Sequence, residues 1–181
     1  MYNNKIIGSI SFWFAISIVI IAILLIAGTS LGWFRLSVEI FDESIHHWFS
    51  YLGVGFIAIY LPVYSVLKRR YPHRLKTLLS VHVFGNLFAV AAISIHFTHQ
   101  LTRPPEAFPN LGTGIALIAG LLILVITGFG LRFHFAGKRW GSWKWVHTGI
   151  MLSFYLLIIV HILHGLVVIW PGKRLTFSAE T

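Results

Sequence analysis

Apolar residues run in five long, nearly unbroken stretches, at about 8–28, 47–67, 79–98, 113–133 and 146–169, with the polar residues gathered between them. Each stretch reaches the roughly 20 apolar residues that a helix needs to cross a bilayer. The pattern predicts an all-α integral membrane protein with five transmembrane helices in a single membrane domain, residues 1–181. The first stretch, "GSISFWFAISIVIIAILLIAG", is longer than the apolar core of a signal peptide, and "TSLGWF" after it lacks an obvious small-residue cleavage site. It reads as an uncleaved first helix.

Composition strengthens this picture. Of 181 residues, 57% are hydrophobic and 10% charged, and the mean hydropathy is +0.82. That is the balance of a membrane protein. The absence of cysteine excludes disulfides, thiolate-held iron–sulfur clusters and covalent CxxCH haem attachment. The formal charge of +9 would suggest nucleic acid on a soluble domain. Here the cations flank apolar spans, so the positive-inside rule explains them and no nucleic-acid partner is expected.

With the N-terminus inside, the inner loops receive Lys5, then Lys68, Arg69, Arg70, Arg74 and Lys76, then Arg132, Lys138, Arg139 and Lys144. The outer side receives Arg35, Arg103, Lys173 and Arg174, together with all five acids. The predicted orientation is N-terminus inside and C-terminus outside. Aromatic ends such as "WGSWKW" at 140–145 suit the membrane interface. The short loops hold no soluble domain, glycine-rich phosphate loop or nucleotide-binding unit. Helices 2–5 can form a four-helix bundle. The first helix has no ionisable residue in its core and is expected outside that bundle or against a partner.

Histidine changes the picture from a membrane anchor to a site. "SVHVFGNLFAVAAISIHFTHQ" carries His82, His96 and His99, and "WVHTGIMLSFYLLIIVHILHG" carries His147, His161 and His164. Ionisable groups at membrane depth are costly and mark function. A spacing of 14 residues is nearly four turns, so the first two histidines of each helix differ by only about 40° in direction and about 21 Å in height. The third and fifth helices run the same way. His82 is therefore level with His147 near the inner face, and His96 with His161 nearer the outer face. Two facing imidazoles can grip a haem iron, and the apolar macrocycle fits between helices. A lone membrane histidine often does no more than hydrogen-bond a neighbouring helix. Two equally spaced pairs on parallel helices favour haem over that reading. A single ion spanning both levels is disfavoured by their separation and by the few carboxylates.

The His-x13-His pattern on two parallel helices resembles the di-haem b-type cytochromes of respiratory membranes. Placement on the third and fifth helices is most similar to the ferric reductase-like transmembrane group, which includes the NADPH oxidases and the haem subunit of a periplasmic methionine sulfoxide reductase. The resemblance covers helices 2–5. It implies axial-ligand roles for His82, His96, His147 and His161, holding two haem b groups. That group has six helices and, in the oxidases, a flavin and nicotinamide domain; five spans without one imply a quinol, another subunit or a soluble carrier as donor. The five-helix form also resembles cytochrome b subunits of nitrate reductases and related quinol-linked complexes, whose ligands sit on differently placed helices.

Neighbouring residues take supporting roles. Arg74, Lys76 and Lys144 inside, and Arg103 and His99 outside, are candidate partners for haem propionates. Gly85 and Gly149 would let a flat macrocycle approach a helix. Asn86 would hydrogen-bond a haem edge or another helix, and Pro62 would bend the second helix. His99 and His164, each one turn beyond an outer ligand, would line a quinone or substrate pocket with Gln100, or be wetted interfacial side chains. His46 and His47 lie at the same outer face. His73 and His134 lie in basic loops, with no chemistry assigned.

The expected function is a di-haem cytochrome b of a prokaryotic cell membrane. It would pass electrons between an inner haem (His82, His147) and an outer haem (His96, His161), as the membrane subunit of a quinone-linked respiratory oxidoreductase rather than a self-sufficient enzyme. The alternatives are a stand-alone transmembrane reductase of a metal ion or oxygen, and a structural or assembly subunit without haem.

Overall fold

The computed structural model describes residues 9–33, 38–41, 43–101 and 112–176, with side chains of the last helix through Gly165. Five helices account for most of them: α1 (Ile10–Ser30), α2 (Ile45–Arg70), α3 (Leu75–Leu101), α4 (Gly112–Arg132) and α5 (Trp140–Thr176). All five contain a segment long and apolar enough to cross a membrane. The helices match the predicted spans and overrun several of them into polar sequence. α2 continues through Lys68, Arg69 and Arg70, where cations favour the negative end of the helix dipole.

Local chemistry explains the helix ends and their polar residues. Ser9 caps α1 by accepting from the Phe12 amide at 3.2 Å. Within the spans, Ser17, Thr29, Ser80, Thr98, Thr148 and Ser153 each donate to the carbonyl four residues earlier. A hydroxyl in an apolar span is thereby satisfied inside its own helix. Before α2 the chain forms a small antiparallel ladder, β1 (Glu39–Ile40) and β2 (Glu43–Ser44), that the hydropathy pattern did not announce.

α3 is the central element, packed most extensively on α2 and on α1, while α4 packs on α5. Gly53 of α2 lets that helix approach α3: a Cβ there would lie 2.9 Å from the Ala89 carbonyl and from Ile93. α1 docks on the far side of α3, with Ala15, Ile18, Leu87 and Phe133 forming one buried cluster and Phe14 against Phe84. The main core joins α2, α3, α4 and α5 through Ile57, Leu61, Ala89, Leu121, Phe154 and Ile158.

Pro62 sits inside α2. Proline lacks the N–H that would reach the Ala58 carbonyl. Tyr155 of α5 supplies the missing donor, its hydroxyl contacting the Ile57 and Ala58 carbonyls at 2.9 and 3.0 Å. A polar defect in one helix is repaired by its neighbour, and the two halves of the bundle are tied at mid-height.

Lys68, Arg69, Arg70, Arg74, Lys76, Arg132, Lys138, Arg139 and Lys144 fall at the α2–α3 and α4–α5 connections, while Lys173 and Arg174 fall at the far end of α5. These connections form the basic end of the bundle. The start of α2 and the end of α3, with His46, His47, His96 and His99, form the histidine end.

Candidate functional site

At the basic end, α3 and α5 bring His82 and His147 together, with ring centroids 6.5 Å apart and planes at 78°. They face a cavity of about 330 Å³ between α2, α3, α4 and α5, walled mainly by apolar side chains such as Leu61, Val83, Leu124 and Met151. Imidazole nitrogens bind metals at about 2.0–2.1 Å, so rings on opposite sides of one ion have centres roughly 6 Å apart. The observed separation suits that arrangement.

α4 orients the second ring. Thr127 donates its hydroxyl proton to the Ile123 carbonyl at 2.7 Å. Its oxygen, 2.9 Å from His147 Nδ1, is left to accept. Nδ1 therefore carries the proton and Nε2 keeps its lone pair, the tautomer a metal ligand needs. Gly128 lies beside the ring, where a Cβ would sit in van der Waals contact 3.4 Å from His147 Cε1 and a larger side chain would press on it. On α3, Asn86 Nδ2 contacts His82 Nδ1 at 3.2 Å and also donates to the His82 carbonyl. With Nδ2 donating to both, His82 Nδ1 accepts and Nε2 carries the ring proton; an iron ligand would require the Asn86 side chain to rotate away, because exchanging its ends in place would set Oδ1 against the His82 carbonyl. Tyr64 stacks on His82 at 4.6 Å.

The same motif recurs on the upper part of α4. Thr113 Oγ1 lies 2.9 Å from His161 Nδ1, and a Cβ on Gly114 would lie 3.8 Å from His161 Cε1. Thr113-Gly114 and Thr127-Gly128 stand 14 residues apart, matching the spacing of the histidines they seat. Sequence reasoning missed this pair, although "TG" repeated at the histidine interval was there to be found.

Cations line the cavity, though only one of the expected set does. Lys144 lies on the cavity wall, as do Lys68 and Arg132, which had not been singled out. Arg132 Nε is buried without a hydrogen-bond partner, so an anionic group at the cavity mouth would satisfy it. Arg74 instead is exposed and lies over the Tyr71 ring at 6.0 Å. Arg103 lies outside the described residues. The expected glycines also differ in role. Gly85 makes room for Phe56, whose ring a Cβ would strike, and Gly149 has open space beside it.

The histidine end is built differently. His96 has ring centroids 5.6 and 5.4 Å from His46 and His47. His99 stacks on His46 at 3.7 Å with planes 16° apart. His46 is 2% exposed. His164 is exposed on α5, whereas His99 is half-buried against α2. No known family, curated protein or solved structure matches this chain.

Proposed function

We propose that this chain is a membrane cytochrome b that carries electrons within a larger oxidoreductase. The observation that supports this best is the inner pair: His82 and His147 at 6.5 Å, across an apolar cavity edged by Lys68, Arg132 and Lys144. In this reading His82 and His147 would hold the haem iron through Nε2. Thr127 orients the His147 ring, and Arg132 and Lys144 would neutralise the propionates. Bound there, haem supplies a one-electron carrier. The chain's own part is to hold it dry, with the His147 tautomer set by Thr127.

The di-haem form of the proposal adds His96 and His161 as a second ligand pair. The repeated Thr113-Gly114 seat under His161 favours it. Electron flow across a prokaryotic cell membrane, with a quinone as one partner and His99 and His164 near its pocket, belongs to the same reading. The short connections between helices support exchange with other subunits.

The test is a dithionite-reduced minus oxidised spectrum of the purified chain, with a pyridine haemochrome to count haem. A b-type spectrum that His82→Ala and His147→Ala each remove is the expected result. A colourless, folded protein would instead leave a structural subunit whose histidines join helices.

A further inference from the structure

The first turn of α2 is held before its histidines meet anything. The Ile45 amide donates to the Val38 carbonyl at 2.8 Å, and the Trp48 indole donates to the Ile40 carbonyl at 3.0 Å. The β1–β2 ladder closes the loop between them. At its turn Phe41 adopts φ 52, a left-handed conformation that a bulky residue adopts only under constraint. The start of α2 is thus fixed by pairing, a side-chain peg and a strained turn.

From that turn His46 and His47 project, about 100° apart around the helix axis as neighbours must be, with ring centroids 4.2 Å apart. His96 approaches from α3. One ligand-capable nitrogen from each of the three lies within 4.8 Å of the others. Around a tetrahedral ion with bonds of about 2.0–2.1 Å, ligand nitrogens stand roughly 3.3–3.4 Å apart. Small side-chain rotations close the observed set to that size. His99, stacked on His46, buttresses one of the rings from behind.

We propose that His46, His47 and His96 form a site for one divalent transition-metal ion at the histidine end of the bundle, apart from the cavity between His82 and His147. Three imidazoles suit Cu²⁺, Zn²⁺ or Ni²⁺ and discriminate against Ca²⁺ and Mg²⁺, which require oxygen. Three protein ligands also leave a coordination position open to water or another small ligand. The positive end of the α2 dipole opposes a cation there, a small effect beside three coordinate bonds. The site stands on its own residues. It bears on the cytochrome reading through His96 alone, because one imidazole cannot serve an outer haem and this ion together.

The test uses the full chain in detergent, stripped with chelator, then titrated with Cu²⁺ alone. Bound metal and pyridine haemochrome are counted per chain, and an electron paramagnetic resonance spectrum reads the nitrogen ligands. The expected result is one copper per chain with coupling to several imidazole nitrogens. His47→Ala and His96→Ala should each weaken binding at least about tenfold, while His134→Ala on the exposed basic loop leaves it unchanged. Should either alanine variant fail to fold, His47→Gln and His96→Gln keep the packing volume and must show the same loss. Copper binding that survives both changes, a folded chain that binds none, or two haems per chain with no copper bound would each overturn the site. One haem with one copper supports both proposals. Copper dependent on His47, in a chain that takes up no haem, keeps the ion site and removes the cytochrome.

Discussion

At the residue scale, Thr127 shows how little chemistry is needed to define a ligand in an apolar span. A single hydroxyl proton goes to the Ile123 carbonyl, and that choice forces His147 Nδ1 to be the donor of the next hydrogen bond. Thr127→Val keeps the shape and removes the acceptor. Within the proposed cytochrome it should weaken haem retention by about 10–100-fold, measured as haem lost to apomyoglobin over time, and Thr127→Ser should restore it. Gly128 tests the same seat by space. Gly128→Val should displace the His147 ring and reduce haem content, while Gly149→Val, where nothing lies within 4 Å of the added Cβ, should leave haem content unaltered. The shared spacing of His82 with His96 and of His147 with His161 was legible because 14 residues is nearly a whole number of turns. Thr113 and Thr127 were harder to read, because a threonine in a membrane helix ordinarily bonds back to its own helix, and only the repeat of the Thr–Gly pair at the histidine interval marks them.

At the element scale, α2 depends on α5 for an atom it lacks. Pro62 leaves the Ala58 carbonyl without its helical donor, and Tyr155 covers it. Tyr155→Phe should cost about 1–3 kcal/mol, the penalty for a buried acceptor left unsatisfied, read as a lower denaturation midpoint in detergent. Pro62→Ala restores the N–H of α2, so Tyr155→Phe should cost less in that background; the coupling is measured by a double-mutant cycle. The proline was visible as a helix defect from the start. Its partner lies 93 positions further along the chain, and the hydropathy of α5 gives no sign that its tyrosine points at α2.

At the scale of the whole molecule, most of the described cations gather at the connections α2–α3 and α4–α5, with Lys173 and Arg174 at the far end of α5, and the charge bias argues that this basic end faces the cytoplasm. A chain without cysteine makes the prediction easy to check. Lys138→Cys should react with a membrane-impermeant maleimide only in inverted vesicles, and Trp48→Cys at the histidine end only in right-side-out cells. The reverse labelling would invert the proposed topology.

What the sequence determined by itself was the set of five helices and the heights of their histidines. Hydropathy and helical rise are properties of one chain segment at a time, so segment lengths and levels can be read without knowing any neighbour. Which rings meet was decided only by tertiary structure. That choice turns on how each helix is rotated and how closely it approaches the next, as Gly53 does against Ala89 and Ile93, and these depend on packing between distant segments. Sequence placed His96 level with His161. Packing brought it to His46 and His47, because a short ladder and an indole hold the first turn of α2 over the end of α3.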